Sequence, residues 1–82
     1  MKTKGKSTDF DKRLGAIMKE RRIKLDITQE DVGEVLDVTF QQVQKYESGV
    51  NRMSVERFYK LCKFLDIDMQ SAVDAARGLK EV

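Results

Sequence analysis

Apolar residues recur along this chain at intervals of three and four, the spacing that places side chains on one face of a helix. The clearest stripe begins behind Ser54, a good N-cap residue, and ends where the stretch from Asp66 to Asp68 breaks the helix. Because the breaks between stripes are short and the chain has no Pro, the pattern predicts an all-α fold, a compact bundle of five helices. The apolar positions of the five stripes are Phe10, Leu14, Ile17 and Met18; Val32, Val35 and Leu36; Val43 and Tyr46; Val55, Phe58, Leu61, Cys62 and Leu65; and Met69, Ala72, Val73 and Ala76.

Two of the predicted helices are short and lie on either side of one turn. Thr28 is a good N-cap for the first of them, and Asp31 follows three residues later, as in a capping box. Thr39 caps the second, which we expect over residues 40–47, behind a turn at residues 37–38. A helix-turn-helix unit needs this arrangement, because one helix crosses the phosphate backbone while the next enters the major groove.

The length and the charge distribution indicate how the chain is divided and where it could bind a polyanion. The 82 residues fit one small domain, and we expect a basic arm over residues 1–8, a helical domain over 9–78 and a short tail over 79–82. The net charge is only +2, but residues 1–26 carry nine basic against four acidic residues and residues 27–47 carry one against five. Such a chain cannot hold a polyanion through bulk charge, so nucleic-acid contact would need local patches.

The composition argues against most catalytic chemistry. The chain has no His, which removes imidazole bases and His-containing zinc sites, and its single Cys62 excludes an intramolecular disulfide. Cys62 lies on an apolar stripe and is interpreted as a buried hydrophobe rather than a redox-sensing thiol. The carboxylates of Glu30, Asp31 and Glu34 are typical of a solvated helix face. We therefore expect no enzyme activity, no metal and no cofactor.

The same reasoning bears on the compartment. No apolar run approaches the about 18 residues that span a bilayer, and the basic N-terminus lacks the apolar stretch of a signal peptide. We therefore expect a cytoplasmic chain without a membrane partner.

The polar side of the helix expected over residues 40–47 carries side chains suited to reading bases. Gln pairs with adenine, Lys donates to guanine, and an aromatic ring contacts the thymine methyl group. The apolar pair Val43 and Tyr46 faces the opposite way and would hold the helix to the core. Two plainer interpretations stay open: an ordinary solvated helix face, and a Phe40 that turns into the core. The side chains on the polar arc are Phe40, Gln41, Gln44 and Lys45.

A longer motif runs through both short helices. It reads Ile27-Thr28-Gln29-Glu30-Asp31-Val32-Gly33, then Val38-Thr39 and Val43, and closes with Tyr46-Glu47-Ser48-Gly49. With this motif, the stretch from Leu14 to about Val73 resembles the Cro/cI-like, or XRE-type, helix-turn-helix family. The run from Thr39 to Glu47, with Asn51-Arg52 and Ser54, looks like a bacterial subgroup of short regulators. The resemblance implies a lambda-repressor-like, five-helix DNA-binding domain over residues 9–78.

The resemblance also implies site residues, carried over by position. The base contacts would be Phe40, Gln41, Gln44 and Lys45. The phosphate contacts would be Thr28, Gln29, Thr39, Gln42, Ser48, Asn51 and Arg52. Gln29 would also brace the recognition helix, and Arg22 would form a structural ion pair with Glu47. The chain departs from the family pattern at Gly33, where Ala is common, at Asp37, where Gly is common, and at Met53, where Pro is common.

The resulting hypothesis is a sequence-specific regulator of transcription that binds double-stranded DNA. It would be a repressor, acting as a homodimer on a near-palindromic operator and associated with the nucleoid when bound. Met69, Val73, Leu79 and Val82 would form the dimer surface or simply close the core, and Tyr59 and Phe64 lie off the main stripe, partly exposed. The alternative is an antitoxin-type or adaptor protein whose main partner is another protein.

Overall fold

A computed structural model describes residues 8–78, and the elements of this part of the chain are all helical. They are α1 (Asp9–Lys24), α2 (Gln29–Leu36), α3 (Phe40–Ser48), α4 (Val55–Leu65) and α5 (Met69–Arg77). The predicted all-α bundle of five helices is thus confirmed, with α3 one residue longer than expected. The arm expected over residues 1–8 and the tail expected over 79–82 lie almost wholly outside the described residues.

Each of the helices begins at a side chain that accepts a hydrogen bond from the backbone N–H three residues later. Three of these caps were predicted, and the other two are Thr8 and Asp68. Caps of this kind stabilise a helix by about 1 kcal/mol each, because they satisfy an N–H group that has no partner within the helix. The full set of N-caps is Thr8, Thr28, Thr39, Ser54 and Asp68.

Aspartates rather than glycines end two of the helices. Asp37 after α2 and Asp66 after α4 adopt left-handed backbone conformations, with φ of 60° and 55°. Asp tolerates this region better than most residues other than Gly, so the turn between α2 and α3 forms although the common turn glycine is absent. Helix α3 ends conventionally, at Gly49 with φ 81°.

The core collects the predicted apolar stripes. α1 packs on α3 and α5, while α2 packs on α3 and α4. Met69 and Val73 are half-buried and pack against this core, so they help to close it; Leu79 and Val82 lie outside the described residues. Tyr59 and Phe64 remain exposed, as their positions off the stripe indicated. The buried cluster consists of Met18, Val32, Leu36, Val43, Tyr46, Phe58, Leu61, Cys62, Leu65 and Ala72.

Gly15 sets the distance between α1 and the end of α3. A Cβ atom on this residue would lie 2.5 Å from the carbonyl oxygen of Glu47 and closer still to that of Tyr46. Only a residue without a side chain allows the two backbones to approach so closely. This close approach brings side chains of α1 within reach of Glu47.

Candidate nucleic-acid interface

A buried ion pair joins α1 to the end of α3. The Arg22 Nε atom donates to Glu47 Oε2 at 2.6 Å, and Nη2 donates to Oε1 at 3.1 Å. Arg22 Nη1 also donates to the Ile27 carbonyl at 2.9 Å, which ties in the loop before α2. Both charged side chains are largely buried, and the bidentate hydrogen bonding compensates for their lost hydration.

Two glutamines extend this pair to the surface. Gln29 Nε2 donates to Glu47 Oε1 at 3.0 Å, and Gln29 Oε1 in turn accepts from Gln44 Nε2 at 3.3 Å. The structure therefore brings four of the predicted site residues into one hydrogen-bonded chain that leads from the core to the exposed side of α3. This chain holds the Gln44 amide through one of its two N–H groups.

The predicted base-reading side chains are all exposed. Val43 and Tyr46, on the other side of α3, are buried, so the helix divides as the wheel predicted. Phe40 does not join the core: it is 37% exposed and borders a shallow surface depression beside Gly33 and Val38. The exposed residues on this side are Phe40, Gln41, Gln44 and Lys45.

The predicted phosphate-contacting residues fall into separate groups. Thr28 and Thr39 lie at the starts of α2 and α3, where each hydroxyl accepts a hydrogen bond from its own helix. Ser48 and Asn51 are gathered around one carbonyl, since the Ser48 hydroxyl and the Asn51 N–H both donate to the Lys45 oxygen at 3.2 Å. Gln42 lies at the opposite end of the helix, in the first turn of α3, and is half-buried.

Arg52 has a partner that the sequence did not predict. Its Nε atom donates to Asp11 Oδ2 at 3.0 Å, and the same oxygen accepts from the backbone N–H of Thr8 at 2.9 Å. Burial raises the pKa of the Asp11 carboxyl, but the hydrogen bonds from Arg52 and Thr8 outweigh burial and hold that pKa below its ordinary value of 3.8. The spacing of Thr8 and Asp11 is that of a capping box, but no feature of the sequence indicated the contact with Arg52.

Three more arginines donate to carbonyl oxygens at the ends of other helices. Arg13 donates to Ala76 O, Arg21 to Leu65 O at 2.8 Å, and Arg57 to Leu36 O at 3.4 Å. A cation at a helix C-terminus is favourable because the last carbonyls lack partners within the helix. These guanidinium groups therefore join helices together. With Arg22, which pairs with Glu47, three of the nine basic residues over residues 1–26 have such a structural role: Arg13, Arg21 and Arg22.

Other chemistry has little support in the described part of the chain. Cys62 is 1% exposed, and burial, with a smaller contribution from Asp68, raises the pKa of its thiol to about 11, as fits a buried hydrophobe. Residues 8–78 hold no group of three or more acidic or Cys side chains placed to bind a metal. Over the same residues, no helix has both the length and the apolar character needed to cross a membrane.

The chain matches a family model and several curated proteins. Residues 18–71 match the family model described as Helix-turn-helix. An uncharacterized HTH-type transcriptional regulator of Sinorhizobium medicae is 35% identical over 78 residues, which are 95% of this chain and 56% of the relative. A transcriptional regulator in the ATPase CF(0) region of Rhodospirillum rubrum is 40% identical over 57 residues, 70% of this chain and 53% of the relative. The chain thus spans about half the length of the curated relatives it matches.

Solved structures share the fold. The restriction-modification controller protein C.AhdI from Aeromonas hydrophila superposes with a TM-score of 0.68 at 25% identity, over 78% of this chain and 96% of that one. The DNA-binding domain of BldD gives a TM-score of 0.68 at 25% identity, over 80% and 96% of the two chains. The clp gene regulator ClgR from Corynebacterium glutamicum, at 22% identity, has a TM-score of 0.77 over 84% of this chain and 73% of that one.

Proposed function

The chain belongs to the Helix-turn-helix family, and on that basis we propose that it is a transcriptional regulator that binds double-stranded DNA through α3 in the major groove. The matched relatives are named as transcriptional regulators, which supports the proposal. The observation that carries it is the hydrogen-bonded chain from Arg22 through Glu47 and Gln29 to Gln44. On an ordinary solvated helix face, a polar side chain such as Gln44 would not be linked to the core by hydrogen bonds.

Gln44 is the strongest candidate for a base contact. One of its N–H groups is held by Gln29, and the remaining N–H and the Oε1 atom are the donor and acceptor that adenine N7 and N6 require. Because the amide is already oriented, little rotamer entropy is lost when it meets a base. Gln41 and Lys45 lie beside it on the exposed side, and Phe40 offers its ring to a thymine methyl group.

Phosphate contacts would surround α3. The first turns of α2 and α3 present backbone N–H groups and a positive helix end, which favour phosphate, next to Thr28 and Thr39. The half-buried Gln29 retains one N–H for the same purpose. At the end of α3, the Ser48 hydroxyl would exchange its bond to the Lys45 carbonyl for one to a phosphate, and beyond the helix Asn51 and Arg52 supply donors. The lysines of the expected N-terminal arm would add contacts that depend on salt.

We further propose a homodimer that represses by occupying a near-palindromic operator. A single helix the length of α3 reads only a few base pairs, which limits both affinity and information. Two copies related by two-fold symmetry would place their α3 helices about 34 Å apart, one turn of DNA, on one side of the duplex. A regulator acting this way would work in the cytoplasm, on the nucleoid, and needs no cofactor or enzyme activity.

Selection from a pool of randomised duplexes at near-physiological salt tests the proposal. Enrichment of an inverted repeat supports a dimeric, sequence-specific regulator, and the half-site spacing gives the dimer geometry. Enrichment of a single half-site supports DNA recognition and contradicts the dimer. If no sequence is enriched and binding is weak and uniformly sensitive to salt, the proposed recognition is wrong, and a protein partner becomes the main hypothesis.

A further inference from the structure

The contact between Asp11 and Arg52 lies where α1 meets the loop after α3. Asp11 is 8% exposed, although it carries a charge, while the Arg52 side chain is 58% exposed. A single carboxylate oxygen takes the hydrogen bonds from the Thr8 N–H, the Thr8 hydroxyl and Arg52 Nε. The carboxylate is therefore fixed by the start of α1, and it fixes the guanidinium in turn.

The loop that carries Arg52 is itself fastened to α3. The backbone N–H groups of Val50 and Asn51 donate to the Lys45 carbonyl at 3.0 and 3.2 Å. Gly49 packs so closely on the first turn of α1 that a Cβ atom there would lie 2.6 Å from the Lys12 Cα atom. These contacts join the loop to the end of α3 and to the first turn of α1, so the three segments form one rigid unit.

The bond to Asp11 leaves the outer edge of Arg52 available. Only Nε is engaged among the described residues, while the two terminal nitrogens belong to a side chain that is more than half exposed. Terminal guanidinium nitrogens donate as a pair to phosphate oxygens, and the planar group must face the phosphate to do so. A guanidinium held at Nε has its plane and direction already set.

We propose that Asp11 is a positioning residue for DNA binding, which holds the Arg52 guanidinium facing a backbone phosphate beside the end of α3. The inference rests on the proposed function and adds to it a role for an acidic residue of α1. This role predicts that removal of the carboxylate changes DNA affinity in the opposite direction from the one expected of charge repulsion alone. A carboxylate near DNA repels phosphates, so its removal alone should tighten binding, whereas loss of a positioning residue should weaken it.

The test measures the affinity of the full chain for a fluorescent, mixed-sequence duplex of about 24 base pairs at about 50 mM salt, since phosphate contacts do not depend on sequence. We expect Asp11→Asn to weaken binding about fivefold, because the charge-assisted bond to Arg52 is lost. In an Arg52→Gln background the same change should have no further effect. Arg52→Gln should also lower the slope of log affinity against log salt by about one.

Asp68 provides a control for the lost charge. It caps α5, where its carboxylate accepts hydrogen bonds from the Ser71 N–H and the Ser71 hydroxyl, and it is paired with no arginine in the described part of the chain. Asp68→Asn removes one negative charge outside the proposed interface and, because Asn is as good an N-cap as Asp, should leave affinity unchanged or raise it. Thermal unfolding of each variant separates a loss of capping from a loss of affinity.

A second variant keeps the proposal testable if Asp11→Asn fails to fold. Arg52→Lys keeps the positive charge on an exposed side chain, but the three N–H donors of its ammonium group rotate freely and do not form a planar pair that Asp11 can hold facing a phosphate. It should weaken binding nearly as much as Arg52→Gln.

The outcomes separate the two proposals. Unchanged or tighter binding by Asp11→Asn, an equal loss in the Arg52→Gln background, or full affinity in Arg52→Lys would overturn the positioning role alone. If the unaltered chain does not bind the duplex, the proposed function fails first.

Discussion

Gly33 of α2 and Val38 before α3 approach so closely that a Cβ atom on the glycine would lie 2.6 Å from the Val38 carbonyl oxygen. The Val38 N–H also donates to the Gly33 carbonyl at 2.9 Å, so the turn between the two helices is closed from both sides. This contact sets the angle between the helix that would cross the DNA backbone and the helix that would enter the groove.

We predict that Gly33→Ala destabilises the domain, although alanine favours helices by about 1 kcal/mol over glycine. The obstacle is a backbone oxygen rather than a movable side-chain tip, so the turn itself must shift, at a net cost of about 1–3 kcal/mol. Urea unfolding measures the change. The exposed Glu34→Ala on the same helix is the control for placing Ala in α2 without the clash, and we expect it to change stability little. A Gly33→Ala variant as stable as the unaltered chain would contradict the prediction.

The ion pair between Arg22 and Glu47 should respond unequally to single and double replacement. Arg22→Met leaves a buried carboxylate without its cation, which should cost about 3–5 kcal/mol in the free energy of unfolding. Arg22→Met combined with Glu47→Leu removes both charges and should cost clearly less than the sum of the two single changes. A double-mutant cycle by urea unfolding checks this, and strict additivity would count against the coupling.

Gln44→Ala should lower affinity for the selected operator by about 1–3 kcal/mol and relax preference at one base pair. Gln29→Ala should relax preference at the same base pair, because it frees the Gln44 amide. Lys45→Ala should have its effect at a different base pair. Competition against operators substituted at single positions makes the measurement, with the exposed Gln70→Ala on α5 as the control. A uniform loss across all sequences would show that Gln44 does not read a base.

Asp11 makes the stability of the domain depend on pH at the acid end. Because its pKa is lower in the folded chain than the ordinary 3.8, its contribution is fully present above about pH 4 and is lost as the pH falls through the lowered pKa. The melting temperature should therefore fall from pH 5 to pH 2 by less in Asp11→Asn than in the unaltered chain. Parallel curves for the two proteins would contradict this assignment.

The fold was largely predictable because the dominant signals are local. Apolar spacing and three capping residues located the helices, and Thr28 and Thr39 fixed the starts of α2 and α3 to the residue. At Asp37, where the family pattern has Gly, the turn forms because Asp tolerates a left-handed backbone. The contact of Gly33 with the Val38 carbonyl oxygen was not predicted, since it depends on a backbone path that spacing does not give.

The side-chain contacts between helices were harder to predict from the sequence than the helices themselves. Arg22 and Glu47 are 25 residues apart, and only a family resemblance suggested their pairing. Arg52 and Asp11, 41 residues apart, had no such guide, because an exposed loop arginine looks the same in sequence whether it faces a phosphate or a carboxylate. Long-range partners follow from how helices cross, and the periodicity of one helix does not specify that angle.

The arginines that tie helix ends together also bear on how the protein would find its target. Guanidinium groups held against the Ala76, Leu65 and Leu36 carbonyls are not free to turn toward phosphates, so they should contribute little to counterion release. The hold on an arbitrary stretch of DNA would then rest on the few proposed contacts around α3 and on the N-terminal lysines. A regulator of this kind would sample the genome by many short visits rather than by long one-dimensional sliding, and its residence time at an operator would be set by the oriented side chains of α3 together with Arg52.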